Sequence, residues 1–281
     1  MKNRKKFKRN IIFLFIFFIY GCSINQNINR NNTARSIENI NGASQIRLIA
    51  HRGYWAVDGS AENSIKSLQL AAELEVYGSE FDVQLTADNI PVIYHDNIII
   101  GTNINIQQVT YNTIKGTILP NGEKLPTLDA YLEAGKTLSI QLILELKSHA
   151  TPERNREAAR IVVEKVKIFG LEGRVDYITF SLEAGRELIR LQPDSNIGYL
   201  NGDLTPAELK QHGFSTLFYF FDIILSHPEY INESKNLGLY SAVWTVNDLA
   251  IMESLINQGV NFIATDIPFQ AKEYLEQIVF Q

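Results

Sequence analysis

From residue 46 onward, short apolar runs alternate with amphipathic stretches that end in glycine. That order is the pattern of βα units, in which each strand enters a parallel sheet and each helix covers it. The runs read as strands from Arg47 to Ala50, Ser79 to Leu85, Pro91 to Tyr94, Ser139 to Glu145, Tyr177 to Phe180, Ile197 to Leu200, Asp222 to Leu225, Tyr240 to Thr245 and Phe262 to Ala264. Eight of them close a (β/α)8 TIM barrel over residues 46–281; the ninth belongs at the rim or is a loop. Helix punctuation agrees. Thr151-Pro152 supplies an N-cap and a first-turn proline to a long helix that Gly170 ends, and Thr205-Pro206 with Glu208 repeats the device. Asn247 is expected to cap the helix after the Tyr240 strand, and Gly259 to end it. In such a barrel the polar residues at the C-terminal ends of the strands share one mouth, where chemistry is to be sought.

Composition narrows that chemistry. Of 281 residues, 45% are hydrophobic and 20% charged, a globular balance, and there is one cysteine. A single Cys excludes a disulfide framework and a Cys-based zinc or iron-sulfur site, so the reactive groups are histidines and carboxylates. The net charge of −5 hides an asymmetry, because residues 1–21 hold six Lys and Arg and no acid. The remainder carries 20 basic against 31 acidic residues. An acidic body lacks the clustered cations that a nucleic-acid backbone demands, which argues against DNA or RNA as a partner.

Those first 21 residues have a basic start and a ten-residue apolar run from Ile11 to Tyr20, the layout of a signal peptide and short for a transmembrane helix. Ile19-Tyr20-Gly21-Cys22 then resembles a bacterial lipoprotein box, with Cys22 as the lipidated residue. A plain signal peptide or an uncleaved signal anchor is the alternative. Residues 22–45, rich in Asn, Ser and Gln without apolar periodicity, read as a flexible tether. The expected molecule is anchored by its N-terminal lipid to a membrane of a bacterial cell envelope, outside the cytoplasm.

At the strand ends stand His51-Arg52-Gly53, Glu80 and Asp82, His95-Asp96, and Glu145 with Lys147. Glu80 and Asp82 are two apart, so both carboxylates point to one face of their strand while Phe81 and Val83 take the other; Glu145 and Lys147 repeat the spacing. The short Thr-Ala-Asp-Asn link after Leu85 makes the second and third strands a hairpin, which brings His95 opposite Asp82 or a near neighbour. Three carboxylates in one mouth repel unless a cation sits among them, and hard oxygen ligands suit Mg²⁺ or Ca²⁺ better than zinc. The alternative is satisfaction by Arg and backbone donors, with Glu145 and Lys147 a simple ion pair. His51 and His95 beside such a site are suited to acid and base roles. His149, His212 and His227 are given no role.

Together with Ala61-Glu62-Asn63-Ser64, Trp244-Thr245-Val246-Asn247 and Thr265-Asp266-Ile267-Pro268, these segments resemble the glycerophosphodiester phosphodiesterase family of phospholipase-C-like TIM-barrel phosphodiesterases, over about residues 47–275. The resemblance implies hydrolysis of glycerophosphodiesters to glycerol 3-phosphate and an alcohol. By it, Glu80, Asp82 and Glu145 are metal ligands, His51 and His95 the acid/base pair, and Arg52 and Lys147 phosphate contacts. Glu62 either joins the metal site or, with Asn63, only fixes the loop and starts the next helix in support of the site, and Trp244 packs on the glycerol or is a core residue. Two departures, Ala61 for proline and Ser64 for threonine, leave charge unchanged. The segment 97–125, where relatives carry an inserted subdomain, is short. The aromatic stretch Thr216 to Ile224 is a buried strand or, alternatively, an apolar wall or membrane-facing lip. Competing functions are a phosphodiesterase of lysophospholipid or envelope glycerophosphate polymer, and a surface-binding lipoprotein without turnover.

Overall fold

A computed structural model of the chain describes residues 46–279. The expected signal peptide, the expected lipidation at Cys22 and the expected tether fall outside those residues. Strands β1 (Arg47–Ala50), β2 (Gly78–Leu85), β4 (Gln141–Leu146), β5 (Val175–Thr179), β6 (Ile197–Tyr199), β7 (Thr216–Phe220), β8 (Tyr240–Trp244) and β9 (Phe262–Thr265) run parallel in the order β1-β9-β8-β7-β6-β5-β4-β2. Pairing of Ile49 with Gly78 and of Ala50 with Ser79 closes them into a barrel. The remaining strand, β3 (Pro91–Ile93), is antiparallel to β2 and sits at the rim. The architecture is a (β/α)8 TIM barrel.

Alternation along the strands divides the core in two. Ile49, Ile143, Ile178, Phe218, Ala242 and Phe262 fill the barrel, while Phe81, Val83, Leu144, Tyr177, Tyr219 and Val243 face the helices. The helix signals act as read: Thr151 accepts from Arg154 N–H ahead of Pro152, and Thr205 with Glu208 forms a full capping box. Asn247 is a correction. Asp248 caps that helix, accepting from Ala250 and Ile251, and Asn247 is committed elsewhere.

A second correction concerns the seventh strand. The Asp222 to Leu225 run belongs to the helix Phe221–Ser226, and the strand is Thr216–Phe220. An unbroken apolar run carries no period of two, so the point where the strand stops is invisible in it. Leu217, Phe218 and Tyr219 are buried, which makes the first half of the aromatic stretch core strand and not a membrane-facing lip.

In the hairpin, Val83 pairs with Ile93 and Tyr94 N–H donates to Asp82 O at 3.1 Å. Tyr94 therefore opposes Asp82, and His95 falls one residue further on. The segment that follows has its own small core of Val92, Ile99, Ile106, Ile114 and Leu125. No described helix is long and apolar enough to cross a membrane.

Candidate active site

β2 and β4 set the centre of the site. Glu80 and Asp82 point into the mouth from β2, and Glu145, the register partner of Asp82, points in from β4. They are 2%, 1% and 8% exposed, and one oxygen of each lies within 4.8 Å of the others. Burying three carboxylates this close is unfavourable unless each finds compensation.

The compensation is partial. Lys147 Nζ lies 2.7 Å from Glu145 Oε1 and 3.2 Å from Asp82 Oδ1. Asn63 clamps Asp82 from both ends, donating Nδ2 to its Oδ2 at 2.8 Å and accepting its backbone N–H at 3.0 Å. Arg52 donates its backbone N–H to Glu80 Oε2 at 2.8 Å, and its Nε is 3.7 Å from Asp82. Among the described residues, Glu80 Oε1 is buried and meets no hydrogen-bond partner.

The titration of the cluster follows from these contacts. Burial, then the charges of Asp82 and Glu145, push the Glu80 carboxyl well above the usual carboxylate range. Burial and Asp82 also raise Glu145, against the pull of Lys147. Burial acts the same way on Asp82, but Lys147, His95, Asn63 and Arg52 together outweigh it and hold Asp82 below its ordinary value. Burial would lower Lys147, yet Glu145 and Asp82 keep it firmly protonated. A buried acidic cluster holding one orphaned oxygen and an elevated carboxyl is short of positive charge. The three hard oxygen donors fit a divalent cation.

The two histidines flank this cluster. His51, in the turn after β1, pairs Nδ1 with Asp266 Oδ1 at 2.7 Å and has Nε2 4.0 Å from Glu80 Oε2. His95 pairs Nδ1 with Asp96 Oδ1 at 2.7 Å. An ionised carboxylate only accepts, so each pair assigns the proton to Nδ1 and leaves Nε2 open. Burial, reinforced by Lys147 and Arg52, lowers His95 despite Asp82 and Asp96.

The β1 turn depends on backbone that few residues adopt. Arg52, Gly53 and Asn63 all have positive φ, and a Cβ at Gly53 would collide with Ser67. Glu62 is not part of the carboxylate cluster; its Oε2 accepts from Arg52 Nη1 at 2.7 Å. Trp244, half-buried at the end of β8, donates Nε1 to Phe218 O and lies against Phe180 and Phe220 with ring centroids 5.6 and 5.4 Å away. A cleft of about 500 Å³ opens from Glu62, Asn63 and His95 toward Trp55, Tyr94 and Leu119.

Sequence reasoning assigned nothing to two residues that the fold brings here. Asp266 receives His51, Trp55 Nε1 at 3.1 Å and Asn247 Nδ2 at 2.7 Å. Its signal was present, a carboxylate at the end of the last strand, which in a closed barrel lies beside the first. Gln84, two residues beyond Asp82 on the same face, donates Nε2 to both Tyr94 O and Asp96 O at 2.9 Å and so brackets His95. His149 is buried, with Nε2 accepting from Leu85 N–H, and burial and Arg154 lower it to about 4.

Comparison with known proteins agrees with this geometry. The model of the glycerophosphoryl diester phosphodiesterase family matches residues 51–269. The glycerophosphodiester phosphodiesterase of Caldanaerobacter subterraneus subsp. tengcongensis is 30% identical over 235 residues, covering 79% of this chain and 94% of its own. The crystal structure of a glycerophosphodiester phosphodiesterase from Parabacteroides distasonis is 52% identical, with a TM-score of 0.83 over 85% of this chain and 100% of that one. A putative glycerophosphoryl diester phosphodiesterase from Silicibacter pomeroyi, at 25% identity, superposes with a TM-score of 0.74 over 84% and 95%. Since the match begins at His51 itself and runs past the last strand of the barrel, the chain belongs to the glycerophosphoryl diester phosphodiesterase family, whose members are phosphoric diester hydrolases.

Proposed function

We propose that this enzyme hydrolyses small glycerophosphodiesters to glycerol 3-phosphate and an alcohol, with Glu80, Asp82 and Glu145 holding one Mg²⁺ or Ca²⁺ and His51 and His95 exchanging protons with the reacting oxygens. The observation that carries the reading is the buried carboxylate triad, with Glu80 Oε1 unpartnered, flanked by two histidines that each present Nε2. A cation bound there supplies Lewis-acid polarisation of a phosphoryl oxygen.

The other roles belong to the chain's own groups. Arg52 and Lys147 are fixed cations at the edge of the cluster, suited to hold a phosphate and the charge that grows on it during displacement. One histidine takes a proton from the attacking water as its oxygen bonds to phosphorus, and the other returns one to the departing alcohol oxygen as the bond to phosphorus breaks, at Nε2 in each case. Asp266 and Asp96 keep the Nδ1 protons in place. Glu62 and Asn63 are supports, aligning Arg52 and Asp82. Trp244, with Phe180 and Phe220, offers an apolar wall for the glycerol. The reading extends to the N-terminus: a signal peptide over residues 1–21, a lipid on Cys22 and a tether that keeps the barrel at a membrane of the envelope.

The test is release of glycerol 3-phosphate from glycerophosphocholine by the full chain, first stripped with chelator and then supplied with Mg²⁺ or Ca²⁺. Release restored by one ion supports both the reaction and the site. No release from folded, metal-supplied protein would overturn the reading and turn attention to lysophospholipid or glycerophosphate polymer.

A further inference from the structure

The segment 97–125 contributes Leu119 and Pro120 to the wall of the cleft, and the loop Ala61-Glu62-Asn63 contributes another part of it. One carboxylate joins these two pieces of chain. Glu123 Oε2 accepts the Ile65 backbone N–H at 3.0 Å, and its Oε1 accepts the Lys66 N–H at 3.1 Å. These are the first two N–H groups of the helix Ile65–Glu73, which has no acidic residue in its own first turn. A helix start leaves such donors without intrahelical partners, and the side chain of the N-cap, Ser64, serves Ser67 instead.

Glu123 is itself held. Asn121 donates Nδ2 to its Oε1 at 2.8 Å and accepts its backbone N–H at 3.2 Å, and the Leu119 N–H donates to Glu123 O at 2.7 Å. The carboxylate therefore belongs to the turn that carries Leu119 and Pro120. On the other side of the contact, the helix is preceded directly by Glu62 and Asn63. Asn63 has a φ of +61°, a conformation that persists in a residue other than glycine only where its surroundings over-determine it. Its N–H donates to Arg52 O at 3.0 Å, and its side chain holds Asp82 at both ends. Glu123 fixes the helix into which that turn leads.

We infer that Glu123 is a positioning residue for the metal site: by clasping the start of the helix it keeps Asn63 on Asp82, so that the rim segment and the carboxylate cluster are set as one unit. It acts through Asn63 and not by contact with the reacting groups. The inference rests on the reading of Glu80, Asp82 and Glu145 as a cation site and extends that site to a residue of the rim. Groups that orient a metal ligand from behind govern affinity nearly as strongly as the ligands themselves.

The test titrates Mg²⁺ and Ca²⁺ by calorimetry into the full chain as wild type, Glu123→Ala and Glu208→Ala. Glu208 completes the capping box of the helix Pro206–His212, on the opposite arc of the barrel, so its loss shows what a broken cap does by itself. Both variants are expected to melt at a lower temperature. Only Glu123→Ala is expected to bind the ion about tenfold more weakly and to shift the Asn63 side-chain amide resonance in the ¹⁵N spectrum. Wild-type affinity and an unmoved Asn63 resonance in folded Glu123→Ala would overturn the inference and leave Glu123 a helix cap. If Glu123→Ala does not fold, Glu123→Gln decides, because it keeps one oxygen for one of the two N–H groups. It is expected to change affinity and the Asn63 resonance in the same direction by less, and wild-type values of both would again overturn the inference. A loss of affinity that vanishes at high salt, with Asn63 unmoved, would assign the effect to the missing charge and overturn it as well. If the wild type binds neither ion and releases no glycerol 3-phosphate, the metal reading falls separately. The Asn63 resonance then decides on the clasp, which stands if Glu123→Ala shifts it and falls if it does not.

Discussion

The two sides of the mouth hold their histidines in contrasting ways. On the β1 side, His51 is bound by Asp266, 215 residues later in the chain, because barrel closure lays β9 beside β1. The pair is shielded, with side chains 17% and 22% exposed, and Asp266 is braced again by Trp55 and Asn247. On the hairpin side, His95 is bound by its own neighbour, Asp96, and the two side chains are 37% and 50% exposed. What is rigid there is the backbone on either side, held by buried Gln84. One ring is oriented by a tertiary carboxylate, the other by the strand it follows. The first therefore depends on closure of the whole barrel and the second on one hairpin.

The largest expected difference follows from the shielded pair. Asp266→Asn replaces an acceptor with an amide that can donate to Nδ1, which moves the His51 proton to Nε2 and blocks that atom for proton exchange. We expect kcat to fall by about 100-fold with KM nearly unchanged, and the His51 ¹⁵N resonances to report the changed tautomer. Near-wild-type kcat with an unchanged tautomer would reduce Asp266 to a structural residue. The wild-type pair is also expected to tolerate acid. Burial would raise the Asp266 carboxyl, but His51, Asn247 and Trp55 outweigh it and hold it below its ordinary value. The stability it contributes is full above the ordinary carboxylate value and is lost only as pH falls through the lowered one.

The hairpin side is expected to fail through its backbone. Gln84→Ala removes both donated bonds and leaves the carbonyls of Tyr94 and Asp96 without that partner, at a cost of about 2 kcal/mol. Turnover should drop by about tenfold, together with a lower melting temperature. That joint loss separates it from Asp266→Asn, where turnover falls with little change in melting. A Gln84→Ala protein that melts lower but turns over normally would show that His95 needs no bracket.

The contrast also explains what the sequence disclosed. The strand faces were legible because a period of two is a local property: Glu80 with Asp82, and Glu145 with Lys147, could be set on one face with no knowledge of the fold. The barrel was legible because its units repeat. The turn after Leu85 set the hairpin, and only its register, one residue from the Asp82–His95 alignment, needed the structure. Asp266 and Gln84 were given no role from the sequence, although Asp266 stands there as a carboxylate at a strand end. The role of Asp266 exists only once β9 meets β1, and Gln84 acts on backbone carbonyls, which leave no mark in side-chain chemistry. The aromatic stretch was misread at its centre because Phe220 and Phe221 are equally apolar while one ends a strand and the other begins a helix.

The smallest expected effect is the sharpest check on the comparison. Asp96→Asn breaks the same kind of bond as Asp266→Asn, a carboxylate accepting from histidine Nδ1 at 2.7 Å in each case. Bond length therefore predicts equal losses, and exposure predicts unequal ones. Where half of the carboxylate side chain meets solvent, water can accept the hydrogen bond from Nδ1–H when the carboxylate is gone, and the ring is still aimed by the strand and by Gln84. We expect kcat to fall only about threefold to fivefold, within the range of a solvent-screened contact, with the His95 tautomer unchanged in its ¹⁵N spectrum. A loss matching that of Asp266→Asn would mean that both histidines are set by their carboxylates alone, and that neither barrel closure nor the Gln84 bracket distinguishes the two sides of the mouth.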